Sequence, residues 1–169
     1  MALRIDQILA ILKAALEAFL TGLGQPGLVS IARDPFNVFE LLNNGPLNYR
    51  VVLHWAGDEN ISELPFVPLL LHRLEVIFGY NLGLTARPDL ALIQSVGSRP
   101  PLFEQLDNLR TTLLDLQFSS EQTGAYLEYQ RCEPMVTPDG VPLAAYRMSF
   151  GLRAVPGQAT STTTIPPTS

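Results

Sequence analysis

Cysteine is almost absent. Cys132 is the one thiol in 169 residues, which excludes an intramolecular disulfide and the small secreted scaffolds that bridges hold together. Histidine is nearly as scarce. His54 and His72 stand alone, in different strand regions, short of the three or four ligands that zinc needs in close array. Lysine occurs once, as Lys13, beside ten arginines, and net charge is −5 with no basic cluster. That excludes the basic stripe by which a protein grips a nucleic-acid backbone. No long uninterrupted apolar run occurs either. The stretch from Ile8 to Leu20 is broken by Lys13 and Glu17, and Asp6 precedes it. It is therefore too short and too charged for a membrane span, and it lacks the positive start of a signal peptide. The expected setting is an aqueous, reducing one, most simply cytoplasm. Charged residues make up only 16%, against roughly 25% in an ordinary domain, which leaves surface for partners to cover.

What is present suffices for one domain. Apolar residues reach 47%, within the globular range. Ile5, Ile8, Leu9, Leu12, Leu16, Phe19 and Leu20 form one helical stripe, with Lys13 and Glu17 as an i,i+4 pair and Gly22 and Gly24 as the stop. Leu28 to Ala32 reads as a strand, Phe36 to Leu42 as either a helical turn or a strand, and Asn43-Asn44-Gly45-Pro46 as a turn. Tyr49, Val51, Leu53 and Trp55 alternate with Arg50 and His54, giving a half-buried strand with Trp55 on its inner side. Ala56 to Glu63 reads as a polar loop. Leu74, Val76, Phe78 and Tyr80 alternate with Arg73 and Glu75 in another strand, whose start Pro65 and Pro68 keep off a central ladder. Gly83 to Pro101 reads as a long connection with one helical turn near Leu90 to Ile93. Leu102, Leu106, Leu109, Leu113 and Leu116 mark a second helix behind Pro101. Two strands close the domain: Ala125 to Val136, then Leu143 to Val155, joined through a turn at Pro138-Asp139-Gly140. In the last, Tyr146, Met148, Phe150 and Leu152 point inward, and Arg147, Ser149 and Arg153 point outward.

These elements predict an α+β fold, a mainly antiparallel sheet with two principal helices packed on one face. The domain spans residues 1–155, followed by a flexible Thr/Ser/Pro tail at 156–169 whose composition cannot repay the entropy of ordering. The opposite sheet face, with Arg50, His54, Arg73, Glu75 and Arg147, is expected to be polar and free for solvent, a lumen or a neighbour.

Catalytic signatures are thin. Gly22-Leu23-Gly24-Gln25-Pro26-Gly27 spells G-x-G-x-x-G, but it follows a helix and precedes a strand, the reverse of what a dinucleotide site requires. It reads as a helix stop. Cys132 with a histidine base is conceivable. No glycine-rich turn aims that thiol, though, so a buried or half-buried structural cysteine is expected. His54 reads as a polar-face histidine near an interface. Asp58 with Glu59, and Asp107 with Asp115, read as solvated carboxylates rather than a convergent acid and base. The expectation is no enzyme, no cofactor and no metal.

The final strands carry a resemblance. Tyr126-Leu127-Glu128-Tyr129, the turn at Pro138-Asp139-Gly140 and Leu143-Ala144-Ala145-Tyr146-Arg147-Met148-Ser149-Phe150 resemble the C-terminal strands of tail-terminator and related minor tail proteins of tailed bacteriophages. With the opening helix, the central strand pair and the leucine-rich helix, the likeness covers most of residues 3 to 155. The long 83–101 connection and the Thr-rich tail depart from it. The resemblance implies a structural virion protein, assembled in the host cytoplasm and resident in the tail or neck. It implies a homo-oligomeric ring, a hexamer in that family, which caps the tail tube protein and joins it to head-neck connector proteins, with no membrane. DNA would pass only transiently through the channel, which suits a net negative charge. Subunit or partner contacts are expected at Arg50, Asp58, Glu59, Arg73, Arg87, Arg99 and Arg147, because Arg pairs well across interfaces and the loops at 56–63 and 87–101 are placed to carry contacts. Two other readings stand beside this one: a ring-forming adaptor at the baseplate or sheath, and a small host binding domain or enzyme with a pocket under the 83–101 loop.

Overall fold

In the computed structural model, the residues described are 4–24, 27–43, 47–63, 69–84, 87–118, 126–137 and 142–154. The expected turns at 44–46 and 138–140, Pro65, Pro68, the outermost strand positions 125 and 155, and the tail at 156–169 lie outside them. Helix α1 runs Ile5–Gly22 and strand β1 Gly27–Ala32. Helix α2 runs Pro35–Leu42, followed by β2 at Tyr49–Asn60 and β3 at Leu70–Asn81. Helix α3 covers Leu102–Leu114, and β4 (Leu127–Met135) and β5 (Leu143–Ala154) end the domain. Short 3-10 turns at Leu82–Leu84 and Leu90–Leu92 punctuate the long connection.

The five strands form one sheet in the order β1-β2-β3-β5-β4. Only β1 and β2 are parallel; the other three pairings are antiparallel. The α+β class expected from the sequence is the one observed. Helices α1 and α3 touch each other and share one face of the sheet. On α1, Ile8, Leu12, Leu16 and Leu20 are buried against Val51, Leu53, Val76, Phe78, Met148 and Phe150. Each such side chain contributes about 1.5–3 kcal/mol of hydrophobic stabilisation. Gly24, at φ +63, takes the left-handed conformation that ends a helix, so the glycine-rich run is a helix stop.

The other sheet face departs from expectation. The ambiguous 36–42 segment is helix α2, because Asp34 accepts a hydrogen bond from the Asn37 amide and Pro35 occupies the first turn. Its buried Val38 and Leu42 join Ala32, Val52, Ile77 and Ala145 in a second, smaller core. The supposedly polar face is thus partly roofed, and Arg50 and His54 on it are buried.

The expected polar loop at 56–63 is also overturned. Strand β2 continues to Asn60 through an irregularity between Trp55 and Asp58, where Gly57 sits at φ +105. An extra residue on β2 is accommodated there; Trp55, which precedes it and stays in register opposite Leu74, is exposed rather than inside. Because β1 pairs only with Tyr49 to His54, the edge of β2 from Trp55 to Asn60 has no strand of this subunit beside it among the described residues.

Candidate interaction surface

Three polar groupings arise from this architecture. The first crosses four strands on the α2 side of the sheet. His54 on β2 places Nδ1 3.0 Å from Oε2 of Glu75 on β3, and Arg147 on β5 donates from Nη1 to the other carboxylate oxygen at 3.3 Å. Arg147 Nε lies a further 3.3 Å from Glu133 on β4. Strand register produces the row: His54 faces Glu75, and Glu133 faces Arg147. With both oxygens of a mostly buried carboxylate engaged, the charge is compensated rather than stranded.

The second lies at the far end of the β2–β3 hairpin. Asp58 is opposite His72, with 3.9 Å between Oδ2 and Nδ1, and Arg73 pairs with Glu59. His72 is buried, which lowers its pKa from the ordinary 6.5, while the Asp58 carboxylate partly opposes that shift.

The third is internal. Arg99 is 6% exposed. Its guanidinium stacks 4.1 Å from the Tyr80 ring centre and 5.7 Å from that of Tyr49, and Nη2 donates to the Asn81 carbonyl at 2.9 Å. Burial raises the phenol pKa of both tyrosines, with the Tyr80 hydroxyl adding to the rise at Tyr49 and Arg99 opposing it at both.

The seven residues singled out from the sequence therefore separate. Glu59 pairs with Arg73 across β2 and β3, while Asp58 faces His72, near the stretch where β2 has no outer neighbour among the described residues. Arg147 is half-buried in the four-strand row. Arg87 pairs with Asp89 at 3.5 Å on the exposed connection, and that pairing holds the Asp89 carboxyl below its usual range. Arg50 and Arg99 are inside the subunit, and burial lowers the Arg50 guanidinium pKa. Glu75 and Glu133, which organise the row, were not among the seven. Period-two alternation placed Glu75 outward, but only strand register reveals what it faces.

Two concavities accompany these groups. A groove of about 370 Å³ lies between α2 and the end of β4, walled by Pro35, Val38, Phe39, Pro134, Met135 and Val136 and floored by Ile77, Glu75 and Arg147. A recess of about 220 Å³ lies between α3 and strands β4 and β5, lined by Phe103, Leu106, Asp107, Arg110, Tyr129, Cys132, Tyr146 and Met148. Neither is lined by the 83–101 connection. Cys132 is an exposed residue overall, not the buried or half-buried one expected, because it sits on the edge strand. Its thiol lines the recess, where burial pushes its pKa up from the ordinary 9.0 against the opposing charge of Arg110. A raised pKa leaves less thiolate for nucleophilic chemistry.

Among the described residues, no three His, Cys, Asp or Glu side chains converge as a metal site, and no helix is long and apolar enough to cross a membrane. No family model matches the sequence, and no curated protein matches it. Among solved structures, a chain of the "Virion of native gene transfer agent (GTA) particle" is similar to this one. The identity is 11%, the match covers 90% of this chain and 91% of that one, and the TM-score is 0.45.

Proposed function

We propose that this chain is a structural protein of a tailed, phage-like particle and that it acts by assembling rather than by catalysis. Within the particle it forms the ring that caps the tail tube, ends its polymerisation and offers a seat to the head-neck connector. The observation that carries the reading is the C-terminal hairpin. Strands β4 and β5 carry the Leu127 to Tyr129 part of the first stretch and the whole Leu143 to Phe150 stretch that resemble tail-terminator proteins, and they stand at the end of a helix, sheet and helix order that the same resemblance implies.

The surface supports assembly. Asp58 and Glu59 lie where β2 has no outer neighbour among the described residues, with Arg73 of β3 paired to Glu59, and a head-to-tail contact there closes into a ring when the rotation between neighbours is a simple fraction of a turn. Positive charge is supplied almost entirely by arginine, which suits ordered pairing across such a contact. Negative net charge keeps phosphate from sticking to a channel that DNA must traverse.

Native mass spectrometry of the purified chain, alone and with tail tubes, tests the reading. A closed multimer in either sample is expected, and a monomer in both overturns it. Tail length in particles lacking the protein then locates the ring. Overlong tails are expected, whereas absent tails assign it to initiation at the baseplate.

A further inference from the structure

We propose that Phe36 of one subunit inserts into the recess between α3 and strands β4 and β5 of the next. The inference rests on the ring reading and names the contact that joins its subunits.

Phe36 is 90% exposed, whereas the next most exposed aromatic among the described residues, Tyr126, is 52%. The Asp34 cap and Pro35 fix the first turn of α2, which carries it, so the side chain projects from a helix and not from a loose loop. The recess matches it in size and chemistry. A cavity of about 150 Å³ holds benzene, and this one is about 220 Å³. Phe103, Tyr129 and Tyr146 give it aromatic walls, with Leu106 and Met148 between them. Phe103 and Tyr146 already meet edge to face at 5.8 Å, an arrangement that a third ring extends.

Charge agrees with shape. Arg33, three residues before Phe36, is exposed, and so is Glu104, one helical turn before the recess residue Asp107. Asp107 is matched by Arg110 of its own helix. Among the described residues, neither Arg33 nor Glu104 has an ion-pair partner. Seating Phe36 brings a neighbour's Arg33 toward the Glu104 carboxylate, complementary charge at the rim of an apolar contact.

Placement makes the contact a repeating one. Helix α2 rests on β1 and β2, and α3 rests on β4, so projection and recess belong to opposite margins of the sheet. Strand register sets them at one level: the row from Ala32, the last residue of β1, passes through His54, Glu75 and Ser149 to Arg131, the neighbour of Cys132 in the recess. Because the two patches differ, each subunit offers one forward and one backward, which is the head-to-tail contact a ring needs. On its Phe36 side this contact continues into Asp58 and Glu59, on the stretch of β2 just past the Ala32–His54 pair.

Native mass spectrometry of F36S, in whichever sample gives the parent chain as a closed multimer, is the first test. Loss of the multimer with a folded monomer remaining is expected, since the side chain replaced belongs to neither core. A multimer that survives F36S overturns this contact and leaves the ring reading standing, whereas a parent that is monomeric alone and with tail tubes overturns both. Disulfide trapping is the second. Cys132 lines the recess and is the one native thiol, so F36C oxidised with diamide is expected to give a ladder of covalently linked chains that F36C/C132S does not give. No ladder in F36C overturns the proposal. So do linked dimers that persist in F36C/C132S, which assign Phe36 to a symmetric contact between two copies of α2.

Discussion

Glu75 engages two partners at once, His54 through one oxygen and Arg147 through the other. Replacing it by Gln keeps the shape but removes the charge that both partners face. Removing one member of a mostly buried polar group costs more than the group contributed, because the others are left uncompensated. The expected loss for Glu75→Gln is about 2 kcal/mol, read from the urea midpoint at constant slope. His72 gives a pH signature of definite sign. Its folded pKa is lowered by burial below the ordinary 6.5, so on acidification through that value the unfolded chain takes up a proton that the folded chain refuses. Stability is full above the ordinary pKa and declines as pH falls from it toward the folded value. His72→Gln should flatten that part of the profile of melting temperature against pH. Neither effect was visible in the sequence, since both depend on which residue the neighbouring strand sets opposite.

The helices on the main face were legible because their apolar residues recur at the helical period over three or more turns. Leu102, Leu106, Leu109 and Leu113 of α3 are buried as that spacing requires. Helix α2 was ambiguous because eight residues give little periodicity, and what decides it is a cap. Asp34→Ala removes the bond to the Asn37 amide and is expected to cost about 1 kcal/mol, measurable by thermal unfolding, with a local rise in amide exchange across Pro35–Leu42. The end of β2 reads as a loop in the sequence because Ala56-Gly57-Asp58-Glu59-Asn60 is rich in turn-forming residues. Pairing with His72, Leu71 and Leu70 overrode that preference. Of the candidate interface, the Asp58, Glu59 and Arg73 grouping was within reach of sequence reasoning, since charge on an edge segment is a surface property. The burial of Arg50 and Arg99 was not, because it follows from the roof of α2 in one case and from the Tyr49 and Tyr80 rings in the other.

For the molecule as a whole, the open edge of β2 is where assembly and stability come apart. Asp58 and Glu59 are exposed, and exposed ion pairs add little to folding. The double change Asp58→Arg with Glu59→Arg is therefore expected to leave the melting temperature within a few degrees of the parent. In the proposed ring it places like charge beside Arg73 and the neighbouring subunit. Native mass spectrometry should then show the multimer lost and the monomer retained.

Strand order has a consequence for synthesis. The last strand in the chain is not at the margin of the sheet but in its interior, with Leu70 to Asn81 on one flank and Leu127 to Met135 on the other. A nascent polypeptide emerging from the ribosome can pair its first three strands, yet β3 keeps a bare flank until Leu143 and everything after it has been translated. Such distant pairings form slowly, and an unpartnered flank recruits other chains. The interval before Leu143–Ala154 emerges is thus the hazardous one for this protein, when aggregation competes most directly with completion of the sheet.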